Sequence, residues 1–255
     1  MKTRMTDIKT QDGDCDVFIA YPSDQGSYPA VLFFMDGFGP RAYLYEMSKT
    51  IASHGYYVLL PNLFYRVRRA PVTDMKFPMR SEDMPEVIKQ IMPLFQSFKP
   101  ELGVRDAGVL LDFLAKQKQA MTGKIGITGY CLGGGLAIRT AARYPDRVAA
   151  AASFHGGNLA TDAPDSPHRL LNHVKAELYI AHADNDRSMP PEQIERLRSA
   201  LDQAGVRYEA ELYSGGSHGF TMADLPAYNE VLLKRHWDKL LNLLERSLGS
   251  RTIPA

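Results

Sequence analysis

Two apolar rhythms alternate along this chain. Ala30 to Met35 and Tyr56 to Leu60 are short unbroken apolar runs, which predict strands buried on both faces. Between them Leu44, Met47 and Ile51 recur at helical spacing within Tyr43 to His54, and Gly55 stops that helix. Strand, helix, strand is a βαβ unit, and its repetition predicts α/β architecture with a mostly parallel central sheet, right-handed crossovers and helices on both faces. Asp16 to Tyr21 alternates toward Pro22 and is expected as an early edge strand. Further strands are expected at Ile125 to Thr128, Val148 to Phe154, Glu177 to Ala181 and Arg207 to Tyr213. Helices are expected at Arg105 to Lys118, Pro191 to Ala204 and Pro226 to Leu248, the last amphipathic and carrying Trp237. From Asn62 to Pro100 the pattern loosens around several prolines, and helical spacing returns only within Met84 to Phe95. That stretch, about 62–100, has the length of a loop-and-helix excursion over a site. No internal repeat interrupts the pattern, so residues 1–255 are expected to form a single domain.

One junction stands apart. Lys124 to Ala142, KIGITGYCLGGGLAIRTAA, runs from a strand into a helix with an abrupt turn at Cys131. Gly129-Tyr130-Cys131-Leu132-Gly133 fits the G-x-nucleophile-x-G elbow of α/β-hydrolases, with Cys in place of Ser. Such an elbow strains the nucleophile's backbone and crowds strand against helix, so its flanking positions must be small. Gly129 and Gly133 meet that demand. A thiol at the first turn of a helix also faces unpaired N–H groups and the positive end of the dipole, which favour thiolate. The competing reading is a buried structural cysteine. A dinucleotide-binding fingerprint fails, because its second glycine would have to stand where Cys131 is.

In open α/β sheets ligands sit beyond the carboxyl ends of the strands, so an acid and a base are sought in the loops that follow them. Asp186 follows the Glu177 strand and His218 follows the last one, giving the chain order nucleophile, acid, base. His218 is then the base, and Asp186 holds its imidazole tautomer. Asp184 competes for the acid role from the same loop, but Asp186 lies further past the strand end. His155 and His182 also end strands; a backbone-satisfied histidine is the simpler reading of both, with His155 placed to line a pocket. Gly215 to Gly219 matches G-x-S-x-G literally, yet no helix follows Ser217 directly and too little chain remains for an acid and a base strand. Asp184 to Glu195 imitates a calcium loop, but Met189 stands where that loop needs glycine, so no metal is implied.

Charge narrows the partner. Thirty Lys and Arg against 29 Asp and Glu give a net +1, so no long-range field favours nucleic acid or an anionic membrane. A small molecule is the expected partner, and nothing in the sequence sets an oligomeric state. The cluster Arg66, Arg68, Arg69 reads as a solvated loop face. Residues 1–20 lack an apolar signal core and no run of about 18 apolar residues occurs, so a cytoplasmic location is expected. Cys15 and Cys131 are the only cysteines, too few for a disulfide framework, and Cys15 is expected to be inert.

With Cys in G-Y-C-L-G-G, an Asp loop ending D-x-x-x-P and a final H-G-F, the sequence resembles the dienelactone hydrolase family from about Asp12 to Leu248. The resemblance implies Cys131, Asp186 and His218 as a triad, an oxyanion hole from the Leu132 and Gly37 N–H groups, and no cofactor. It also implies that Asp36 takes the place of a glutamate said to pair with the resting thiol, in the string Met35-Asp36-Gly37-Phe38-Gly39. Of the two arginines that hold the dienelactone carboxylate in that family, one has a loose counterpart in Arg80. The other falls on Met222, whose thioether suits an apolar group instead. Asp36, Phe38, Arg80, His155 and Met222 are therefore the expected substrate-binding residues, for a cysteine-dependent hydrolase of small esters or lactones. Two other classes use the same residues differently: a thiol redox or sensing protein working through Cys131, and an inactive small-molecule-binding protein on the same scaffold.

Overall fold

The computed structural model of the chain describes residues 1–249. Eight strands form one sheet in the order β1-β2-β4-β3-β5-β6-β7-β8, where β1 is Lys2–Lys9, β2 Asp14–Tyr21, β3 Ala30–Phe34, β4 Tyr57–Pro61, β5 Ile125–Tyr130, β6 Val148–Phe154, β7 Glu177–Asn185 and β8 Tyr208–Ser217. β1 and β2 pair antiparallel, β2 meets β4 antiparallel, and every later pairing is parallel. This is the α/β-hydrolase fold. β3, β4 and β5 are buried at every position, as continuous apolar strands covered on both faces must be.

Among the described residues there are six α-helices: α1 (Ala42–Ser53), α2 (Met84–Ser97), α3 (Pro100–Leu114), α4 (Leu132–Arg143), α5 (Pro191–Ala204) and α6 (Glu230–Leu248). A Cβ added at Gly126 would meet Leu244 and Leu248 of α6, whereas one at Gly129 would meet the first turn of α4. Odd and even positions of a strand face opposite ways, so α6 and α4 cover opposite faces of β5. Among the described residues, no helix is long and apolar enough to cross a membrane.

Three differences from the sequence-based expectations have physical reasons. β1 was not foreseen, because only Ile8 of its eight residues is buried and no apolar alternation marks it; it covers β2, which is therefore not the edge. α3 begins at Pro100 rather than Arg105, since proline is well placed in a first helical turn. β7 and β8 extend past their apolar runs, and Asn185 and Ser217 pair at their ends. That polar extension carries Asp186 and His218 out together beyond the sheet.

Candidate active site

The junction of β5 and α4 is built by exclusion of side chains. A Cβ on Gly129 would lie 2.0 Å from the Gly133 carbonyl oxygen, and one on Gly133 would lie 2.6 Å from both the Phe34 and Met35 oxygens. The helix therefore starts in backbone contact with the ends of β5 and β3. Cys131 turns the corner as the residue before α4, at φ 54° and ψ −117°. A non-glycine residue there carries strain of order 1–3 kcal/mol, which its neighbours must hold. Its N–H donates to the Phe154 carbonyl at 3.1 Å and its carbonyl accepts from Gly134 N–H at 3.0 Å, pinning the corner on both sides.

His218 and Asp186 meet one loop away. The Asp186 Oδ2 lies 2.6 Å from His218 Nδ1, and the His218 N–H donates to the Asn185 carbonyl at 3.2 Å. The other carboxylate oxygen of Asp186 accepts from the Ser188 N–H at 2.8 Å and its hydroxyl at 2.6 Å. Burial opposes the ionised form of Asp186, but His218 and Ser188 outweigh it and hold the carboxyl below its ordinary pKa. Burial likewise disfavours imidazolium at His218. The neighbouring Cys131 sulfur, hydrogen-bonded to it, and the Asp186 carboxylate overcome that and raise its pKa to about 10. Asp184 is turned elsewhere, accepting from the Gly215 N–H at 3.0 Å.

The residues expected around this centre divide into two groups. Gly37 follows β3 and Leu132 opens α4, and among the described residues neither N–H has a recorded backbone acceptor. Asp36, Phe38 and His155 line the space in front of Cys131 and His218. His155 stands edge-on to the His218 ring at 5.4 Å, with Nε2 2.8 Å from the Thr221 hydroxyl. Burial drives its pKa well below the ordinary histidine value, so it is a neutral wall beside a charged ring. Arg80 and Met222 are not brought to the centre. Arg80 is exposed and paired with Glu82 at 2.8 Å, because its place on the outer rim of the excursion leaves it nearest its own acidic turn. Met222 is fully buried beneath the loop after His218 and lines neither space beside the thiol. Arg66, Arg68 and Arg69 are likewise paired away from the site, with Asp12 and Asp106, Asp74, and Asp7. Cys15 is buried on β2, and burial pushes its thiol pKa up. Ser217 closes β8 at the rim of the site, with no helix until Glu230.

Several residues of this centre escaped the sequence. Arg41, buried, grips both oxygens of Asp36 at 2.7 and 2.8 Å and both of Asp224 at 2.6 and 3.1 Å. Asp36 is thereby committed to Arg41 and to the Phe38 N–H at 2.9 Å. The Phe95 ring of α2 fills the place a Gly37 side chain would need, its nearest atom 2.1 Å from that Cβ. Two hollows flank the thiol. A cleft of about 740 Å³ runs from Cys131 and His218 past Gly135 to Arg139, roofed by Phe95 and Phe98. An apolar pouch of about 190 Å³ lies opposite, between Phe38, Met84, Leu225 and Pro226.

A family model described as the Dienelactone hydrolase family matches residues 15–248. A protein of Salmonella typhi named "Putative carboxymethylenebutenolidase" is 26% identical, the match covering 97% of this chain and 88% of that protein. One of the same name from Synechocystis is 24% identical, covering 97% and 98%. Among solved structures, one titled as a putative dienelactone hydrolase from Klebsiella pneumoniae superposes with a TM-score of 0.83 at 21% identity, over 96% of this chain and 98% of that one. A dienelactone hydrolase-like promiscuous phosphotriesterase from metagenomic libraries gives 0.77 at 19% identity, over 96% and 98%.

Proposed function

The chain belongs to the dienelactone hydrolase family, and from that premise we propose that it hydrolyses small esters or lactones through a covalent intermediate on Cys131. Family membership makes it a hydrolase with a small-molecule substrate. The observation that carries the finer reading is the 2.6 Å contact between Asp186 and His218, with His218 held cationic beside the sulfur of a strained elbow cysteine.

The chemistry follows from that pair. The Cys131 thiolate attacks the substrate carbonyl carbon, a C–S bond forms, and the carbonyl electron pair moves onto oxygen. Leu132 and Gly37 N–H groups receive the resulting oxyanion; such preorganised donors act in a dry site without reorganising, and loss of one is worth roughly 3 kcal/mol in comparable enzymes. Collapse breaks the C–O bond, and the imidazolium of His218 gives its proton to the departing alkoxide. Neutral His218 next takes a proton from water as hydroxide attacks the thioester. The acid leaves, and the thiolate and imidazolium are restored. Asp186 keeps Nδ1 occupied throughout, so the proton moves only at Nε2. The role of Asp36 differs from the one the family resemblance implies, since Arg41 engages both its oxygens.

A panel of chromogenic esters and lactones, with intact mass spectrometry of the quenched protein, tests this reading. The expected result is turnover with a mass increment on Cys131, both lost in Cys131→Ala. Turnover that persists in Cys131→Ala would end it.

A further inference from the structure

The cleft that leaves Cys131 toward α4 ends at a cation. Cys131, Gly135 and Arg139 are spaced i, i+4, i+8 and so form one row along the helix, and all three line the cleft. Gly135 interrupts the row without a packing reason: a Cβ there would meet only Leu159 at 3.6 Å and Pro167 at 3.9 Å, ordinary contact distances. A glycine inside a helix costs about 1 kcal/mol against alanine, so this one leaves open floor where a side chain would have stabilised α4. Beyond that floor, the side chain of Arg139 is 14% exposed, and its recorded partner is the exposed Asp165 carboxylate at 3.2 Å. Arg139 borders both this cleft and a neighbouring groove, and Asp165 lines the groove but not the cleft. Guanidinium has five N–H donors, so the Asp165 contact leaves donors for a ligand. Burial pulls the pKa of Arg139 down, only partly offset by Asp165 and Glu101. Arg187, in the loop after β7, adds a second positive charge to the cleft lining.

Resting on the hydrolase reading, the geometry points to Arg139 as the residue that selects an ester whose acyl chain ends in a carboxylate. The cleft takes that chain and the 190 Å³ apolar pouch takes a small alcohol group. At 1.5 Å rise per residue, eight residues of α4 separate Cys131 and Arg139 by on the order of 12 Å, and a helical side chain leans back toward the N-terminus. A span of roughly 10 Å remains, which an extended chain crosses in roughly seven to nine bonds. Charge-assisted bonds from a half-buried guanidinium are the strong kind for a carboxylate.

The test is a series of aryl half-esters of linear dicarboxylic acids, from short to long, each beside its neutral methyl ester. The kcat/KM ratio of acid to neutral ester is expected to rise about ten- to a hundredfold near the predicted length. It should fall to about one in Arg139→Gln, with Arg139→Lys in between. Gly135→Leu should suppress the long half-esters while circular dichroism shows an intact fold. Calorimetry with the free dicarboxylate of matching length separates binding from chemistry. Arg139-dependent binding without turnover of any ester would keep Arg139 as the carboxylate site and end the hydrolase reading. Turnover with a ratio near one at every length, no binding of the dicarboxylate, or a preference that survives Arg139→Gln and disappears in Arg187→Gln would overturn the assignment.

Discussion

His218 holds its proton against burial because the Cys131 sulfur and the Asp186 carboxylate face it, and that sets a sign for every pH effect at the site. Its folded pKa is raised from 6.5 to about 10, so its charged interactions stabilise the protein fully below about pH 6.5. That contribution is lost as pH rises through about 10. In the proposed mechanism the imidazolium also protonates the leaving group, so the alkaline limb of kcat/KM is expected near pH 10, far above the ordinary histidine range. Asp186→Asn removes one of the raising charges and should move that limb downward in a pH–rate profile. It should also lower kcat by up to about four orders of magnitude, as the matching change does in serine proteases. Asp184→Asn, which loses only a bond to the Gly215 backbone, should cost far less. The reverse ranking would reassign the acid. Cys131, Asp186 and His218 could be proposed from sequence because each lies past the carboxyl end of a strand in a fold that gathers strand ends. Arg41 and Arg139 could not, because an arginine's meaning depends on what lies opposite: Asp224 is 183 positions from Arg41, and the cleft beside Arg139 exists only once α2 has folded over it.

At the level of elements, the β5–α4 junction is the part most completely dictated by sequence. Glycine at 129 and 133 is required by backbone atoms 2.0 and 2.6 Å from the missing side chains, and backbone cannot give way as a flexible side chain can. Gly129→Ala is therefore expected to destabilise by about 3 kcal/mol, the upper end of overpacking costs, and to abolish esterase activity by moving Cys131 off its strained corner. Chemical denaturation and an ester assay on the same preparation check this; a stable, active Gly129→Ala would mean that the elbow is looser than drawn. Elements with polar faces read poorly by comparison. β1 buries Ile8 alone, and the ends of β7 and β8 are polar because they lead into the loops of Asp186 and His218 rather than the core. The excursion was visible as broken periodicity. Its use was not, since only the packed fold shows Phe95 sealing the space over Gly37.

Across the whole molecule, a single buried arginine ties together what the chain separates most widely. Arg41 links the loop after β3, which carries Asp36, Gly37 and Phe38, to the loop after β8, which carries His218 and Asp224. The Met79 N–H donates to the Asp224 carbonyl at 2.9 Å and brings the excursion into the same knot, while the Phe77 ring lies 5.0 Å from the guanidinium. The proposed oxyanion donor and the base thus sit on segments whose spacing is set through one guanidinium, with both carboxylates bonded through both oxygens. Removing one partner of such a buried cluster leaves charge without compensation, which costs about 3–5 kcal/mol, far more than the intact cluster is worth over an apolar replacement. Arg41→Met should therefore lower Tm by roughly 6–20 °C in a chain of this size. It should also reduce kcat more than it raises KM, because the donor and the base lose their common spacing. Combining Arg41→Met with Asp36→Asn and Asp224→Asn removes the stranded charges, so much of the thermal stability should return. The reduced kcat should not, since the neutral trio no longer fixes the two loops to each other. If kcat recovers along with Tm, Arg41 serves stability alone, and the spacing of Gly37 and His218 is set by the sheet.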